Sequence, residues 1–120
     1  MGLSTVRIQG ADAKSNSSGY AGSLVVSANP ARFYTATIFN NFGADVYIQV
    51  FDAVAVPSTG AWATPPLLIA RVPHGSHGGF DFSDGCLFPT GVAIALSTTA
   101  TDYTAAASAA TIYATYRRIV

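Results

Sequence analysis

Hydrophobic and polar positions alternate with period two along most of this chain, the spacing that gives each face of a β-strand its own set of side chains. Val6 and Ile8 alternate with Arg7 and Gln9, which predicts a short strand or an N-terminal arm. Residues 10–23 include Ser15-Asn16-Ser17-Ser18-Gly19 and read as a polar loop with too little apolar surface to order itself alone. Leu24, Val25 and Val26 predict a brief strand stopped at Asn29-Pro30, because proline lacks a ladder donor and restricts the residue before it. Residues 32–39 and 45–51 are β-branched and aromatic runs joined by Asn40-Asn41-Phe42-Gly43-Ala44, a link of hairpin length, so the two are expected to pair as a β-hairpin. In the second run Val46, Ile48 and Val50 share one face and Tyr47, Gln49 and Phe51 the other, so both faces call for cover.

Residues 52–66 predict a long loop with Pro57-Ser58-Thr59-Gly60 as turn material and Trp62, Pro65 and Pro66 as its bulky members. Loops of about this length often carry a function. A strand over 67–72 ends at Pro73, and residues 74–79 read as a second, Gly-rich turn. Phe80 and Phe82 alternate with Asp81 and Ser83 in a short strand closed by Asp84-Gly85. In 92–97, Val92, Ile94 and Leu96 alternate with Ala93 and Ala95, small residues that would let another sheet or chain approach closely. Residues 100–110 form a Thr and Ala connection with room for one helical turn, and 111–117 alternate again as a closing strand. Seven or eight such strands predict an all-β fold: a single-domain antiparallel β-sandwich, jelly-roll or Ig-like, over 24–120, preceded by an arm and polar loop over 1–23.

Composition sharpens this picture. Only 10% of the 120 residues are charged, against roughly 25% in ordinary soluble domains. All six acids are Asp and only Lys14 is a lysine, which argues against a helix bundle. A formal net charge of zero offers no field to gather nucleic acid or an anionic membrane. No run approaches the ~18 apolar residues of a membrane span, and no secretion signal is expected. Cys86 is the single cysteine, so no intrachain disulfide forms, and it reads as a small buried hydrophobe.

Candidate chemistry is sparse. His74, His77, Asp81, Asp84 and Cys86 lie close in sequence but match no metal-ligand spacing, and they read as turn and strand residues. Ser76 has His74 where a nucleophile elbow needs glycine. No pair of carboxylates suits glycoside hydrolysis, and no phosphate loop occurs. The expectation is a protein that is not an enzyme, with no catalytic residues, no bound metal and no cofactor. Arg32, Arg71, Arg117 and Arg118 could gather on one edge, with Tyr34, Tyr47, Tyr113 and Tyr116 as stacking faces, but zero net charge argues against nucleic acid, and the tyrosines read as half-buried sheet residues. Trp62 either caps the core or anchors a protein or sugar partner.

The order Phe39-Asn40-Asn41, then Val46-Tyr47-Ile48-Gln49-Val50-Phe51-Asp52, a Pro-rich loop, a strand ending at Pro73, Gly79-Phe80-Asp81-Phe82-Ser83, Gly85, and Gly91-Val92-Ala93-Ile94-Ala95-Leu96-Ser97-Thr98-Thr99 resembles small β-sandwich structural proteins of tailed bacteriophage particles. The resemblance covers roughly residues 32–118. It implies a virion protein, assembled in the host cytoplasm, that decorates or cements the capsid by bridging subunits, with the major capsid protein or other virion subunits as partners. A tail, neck or fibre component and a carbohydrate-binding sandwich are the alternatives. Low charge independently suits a surface buried against protein, in a homotrimer, a dimer or a shell, because burying unpaired charge is costly. The candidate partner-binding residues are Val6, Ile8, Tyr20, Trp62, Pro65 and Pro66.

Overall fold

The structure is a computed structural model that describes residues 13–16 and 19–119, which hold eight strands and no helix. The strands are β1 (Ala13–Asn16), β2 (Ser23–Ser27), β3 (Ala31–Phe39), β4 (Val46–Phe51), β5 (Leu68–Val72), β6 (His77–Phe88), β7 (Val92–Ser97) and β8 (Tyr113–Arg118). They form two antiparallel four-stranded sheets, β1-β8-β3-β6 and β2-β7-β4-β5. Each strand of the first half pairs with its mirror in the second: β1 with β8, β2 with β7, β3 with β6, β4 with β5. A chain doubled on itself in this way and rolled into two sheets is a jelly roll, which decides between the two sandwich types expected.

Three local expectations are corrected. The runs expected to pair as a hairpin, β3 and β4, lie in different sheets, and the link between them is an arch. A fully buried Asn40 organises that arch in place of a ladder. Its side-chain amide donates to the carbonyls of Ala44 at 2.7 Å and Val72 at 2.8 Å, while its Oδ1 accepts from the Phe42 N–H at 2.8 Å. The Asn40 backbone pairs with Ser76 and Gly75, tying the arch to the β5–β6 turn. The second correction concerns residues 77–85. His77, Gly78 and Gly79 belong to β6, and the strand continues through Asp84-Gly85 by a bulge, with Phe33 opposite Cys86 and Thr35 opposite Asp81. At Gly79 a Cβ would lie 1.8 Å from the Ala36 carbonyl oxygen, so only glycine permits this approach of β6 to β3. Third, part of the stretch read as a polar loop is strand β1, whose residues 13–16 pair with 113–116 of β8.

Inward-facing residues of both sheets meet in one core. Phe33, Ala36 and Ile38 of β3, Val46, Ile48 and Val50 of β4, Val92, Ile94 and Leu96 of β7, and Phe88 and Ile112 are buried there. Phe33 is its aromatic centre, edge-on to Phe88 at 5.7 Å and to Phe80 at 6.3 Å. Cys86 is half-buried and packs against this core.

A second, smaller cluster covers the outer face of the other sheet. Phe51, Ala93, Ala95 and Tyr103 are buried, with Ala53, Val56 and Trp62 packed on them. The cover comes from residues 52–66 and 98–105 of the chain itself, bridged to each other between Gly60 and Tyr103. The small residues Ala93 and Ala95 thus admit the chain's own loops. The stretch 100–110 contains no helical turn; it runs as short bridges, with Ala105 against Ser97 and Ala110 against Ala21.

Candidate functional site

Gln49 fastens this roof. Fully buried on the outward side of β4, it donates its amide to the carbonyls of Asp102 at 2.7 Å and Thr99 at 3.2 Å. Its Oε1 accepts from the Trp62 indole N–H at 3.3 Å. Ser97 Oγ also donates to the Asp102 carbonyl, and the Thr99 hydroxyl donates to the Asp102 carboxylate. Burial pushes the Tyr103 hydroxyl above the ordinary phenol range. One end of Trp62 is therefore spent on Gln49, and the residue caps the second cluster.

The other candidates are spread around the molecule. Tyr20 is exposed and its hydroxyl accepts from Asn41 beside the arch. Pro65 lines an apolar groove of about 520 Å³ with Phe51, Val54, Val56, Pro57 and Leu67, while Pro66 is half-buried and does not line it. Val6 and Ile8 lie outside the described residues. Among the described residues, Tyr20 thus lies at the arch and Trp62, Pro65 and Pro66 in the 52–66 loop.

Nor do the titratable residues of 74–86 converge. The ring nitrogen Nδ1 of His74 accepts from the Gly43 N–H at 3.0 Å, and His77 lies against Phe39 with ring centroids 4.8 Å apart. Asp81 and Asp84 are exposed while Cys86 turns toward the core. Among the described residues no group of three or more His, Cys, Asp or Glu is placed to hold a metal. Also among them, no helix is long and apolar enough to cross a membrane.

What the fold leaves open is the outer face of β1-β8-β3-β6, and its rows follow from the register. Phe39 stands opposite His77; Thr37 lies between Tyr113 and Gly79; Thr35 lies between Thr115 and Asp81; Arg32 lies between Arg117 and Leu87. Phe39, Tyr113 and Leu87 are 44%, 54% and 49% exposed, large apolar side chains on a face that no loop covers among the described residues. The hydroxyls of Thr35 and Thr115 bond to each other at 2.6 Å in the middle of the face, in the row that ends on Asp81. At one end Arg32 and Arg117 stand side by side, with Arg118 next on β8 opposite the inward-facing Ala31, whereas Arg71 sits on β5 of the other sheet, paired with Asp45 at 2.7 Å. That exposed pair adds little to stability. Of the four tyrosines considered as stacking faces only Tyr113 is exposed on this surface; Tyr34 is buried against Gly85 beside Arg32, Tyr116 packs inward and Tyr47 lies on β4 of the other sheet.

Sequence reasoning passed over Phe39 and Leu87 because a bulge shifts the alternation. Tyr34 is an extra residue between the pairs Phe33–Tyr116 and Thr35–Thr115, so Thr35, Thr37 and Phe39 face outward although strict period two from Phe33 turns them inward. Compared with known proteins, the chain matches no family model, no curated protein and no solved structure.

Proposed function

We propose that this protein is a structural component of a tailed-phage virion, a decoration or cement subunit that lies on the outer capsid surface and bridges neighbouring subunits. The observation that carries the reading is the difference between its two outer faces. Among the described residues, the β4 and β7 part of one sheet is roofed by the chain's own loops, whereas the other sheet presents Phe39, Tyr113 and Leu87 among threonines with no loop over them. Exposed apolar residues grouped on one face of a charge-poor protein mark a protein-binding surface. The jelly roll is an architecture that capsid proteins use, and the resemblance of residues 32–118 points the same way. Partner subunits of the shell, or further copies of this chain in a dimer or trimer, would cover the face, and the protein would reside in the virion.

Sedimentation with capsids that lack the protein tests this. Wild-type protein should pellet with the shells and raise the temperature at which they open. Phe39→Ser combined with Tyr113→Ser should weaken binding by at least tenfold, while Val54→Ser and Leu67→Ser on the roofed side leave it unchanged. Failure of the wild type to bind, or equal effects from both sides, would overturn the reading; binding to tails alone would move the protein to a tail, neck or fibre role.

A further inference from the structure

Arg32 and Arg117 are direct register partners on β3 and β8, and both turn outward, since Ala31, Phe33 and Tyr116 beside them pack inward. Like charges directly opposite each other on a sheet destabilise it. Neither arginine has an ion pair or hydrogen bond among the described residues, where the single salt bridge is Arg71 with Asp45. Asp81 and Asp84 on the adjacent β6 pair with neither. Gly85, with φ +78°, lies against this site: a Cβ there would come within 3.0 Å of the Tyr34 ring and 3.2 Å of the Arg32 Cβ, so the glycine makes room for the Tyr34 ring beside Arg32. Arg118 follows on β8, and Lys14 stands in register with Thr115. On a chain of zero net charge, four of the six basic residues therefore belong to β1, β3 and β8.

We infer that the Arg32–Arg117 pair is a recognition site for a carboxylate side chain of a protein partner, an Asp or Glu that docks between the two guanidinium groups. Two adjacent forks match the two oxygens of a carboxylate, and a carboxylate between them turns a repulsive pair into an attractive triad. The surroundings favour protein over nucleic acid. Leu87 beside Arg32 and Ile119 beyond Arg118 are exposed apolar residues, as at a protein interface. A polyanion gains from neutralising many phosphates, whereas the neighbouring strand β6 carries Asp81 and Asp84. The inference rests on the reading of this sheet face as the docking surface, and gives that surface an acidic partner.

Two measurements test it, one of which needs no capsid. Nuclear magnetic resonance of the intact chain with hexaglutamate should shift the Arg32 and Arg117 side-chain Nε–Hε signals, with hexalysine causing no change. No shift with hexaglutamate, or a larger one with oligothymidylate, would overturn the inference, the latter in favour of nucleic acid. On capsids, Arg32→Gln and Arg117→Gln should each weaken binding about tenfold and flatten its salt dependence. Wild-type binding that neither substitution nor salt alters would overturn the inference while leaving the docking surface in place. Arg117→Glu should raise the melting temperature of the free protein by about 2 °C, as the repulsive pair becomes attractive, and still abolish capsid binding. A lowered melting temperature would mean that the arginine serves the fold, and would also overturn the inference.

Discussion

An Asn40→Ala variant should lose about 3 kcal/mol of folding stability and melt about 12 °C lower than the wild type. The size of the loss follows from what the substitution strands. The Val72 residue is fully buried, so its carbonyl has no access to water once the Asn40 amide is gone. The Phe42 N–H and the Ala44 carbonyl lose the partners that shape the arch. A buried polar group left unpaired costs about 1–3 kcal/mol, against a total stability of about 5–15 kcal/mol for a domain. Asn40→Asp should be no better, since a carboxylate would face two carbonyl oxygens in a site that needs a donor. Asn41→Ala next door, exposed and bonded only to the Tyr20 hydroxyl by its side chain, should change stability by less than about 0.5 kcal/mol. Thermal denaturation followed by circular dichroism reads all three, and equal melting temperatures for the Asn40 and Asn41 variants would refute the role given to the arch.

Gln49→Leu should cost about 2 kcal/mol and loosen the roof ahead of the sandwich. Leucine is similar in size, so the core cluster of Val46, Ile48 and Val50 on the opposite face of β4 keeps its packing. Loss of the amide frees the Thr99 carbonyl and the Trp62 indole N–H. The Asp102 carbonyl keeps the Ser97 hydroxyl, which limits the cost. Trp62 is the only tryptophan, so its fluorescence reports the roof directly. Emission should shift to the red at temperatures where the strand signal is unchanged, and protease should cut within 52–66 sooner than in the wild type. Unshifted emission with an unchanged melting temperature would show that the loops hold themselves down without Gln49.

Much of this fold is legible in the chain because alternation marks strands wherever one face is buried. The positions of β3, β4, β5, β7 and β8 emerge that way to within a few residues. Alternation does not say which strand lies beside which. A five-residue link such as 40–44 fits both a hairpin and an arch between sheets; a buried asparagine decides the matter, and its burial is a tertiary fact. Bulges hide more. One extra residue at Tyr34 turns Thr35, Thr37 and Phe39 to the outer face, and the bulge at Asp84-Gly85 lets one strand run through what reads as a stop. The candidate site was obscured for the same reason. Low charge leads to an expectation of outer surface buried by other subunits, yet on the β4 and β7 side the chain buries that surface itself. The proposed partner is therefore assigned to the other sheet and its outer face. Trp62, the most conspicuous side chain of the long loop, belongs to the roof, whereas the open face draws its chemistry from strand residues that look ordinary in sequence.

The most direct test of the central claim is an image of the protein on its particle. Purified protein should be added to capsids that lack it and the complex reconstructed by electron cryomicroscopy. The face of β1-β8-β3-β6 carrying Phe39, Tyr113, Arg32 and Arg117 should lie against the shell or a neighbouring copy, with the loop 52–66 directed to solvent. Density that places the 52–66 roof against the shell and leaves that sheet face in water, or shells with no added density, would contradict it.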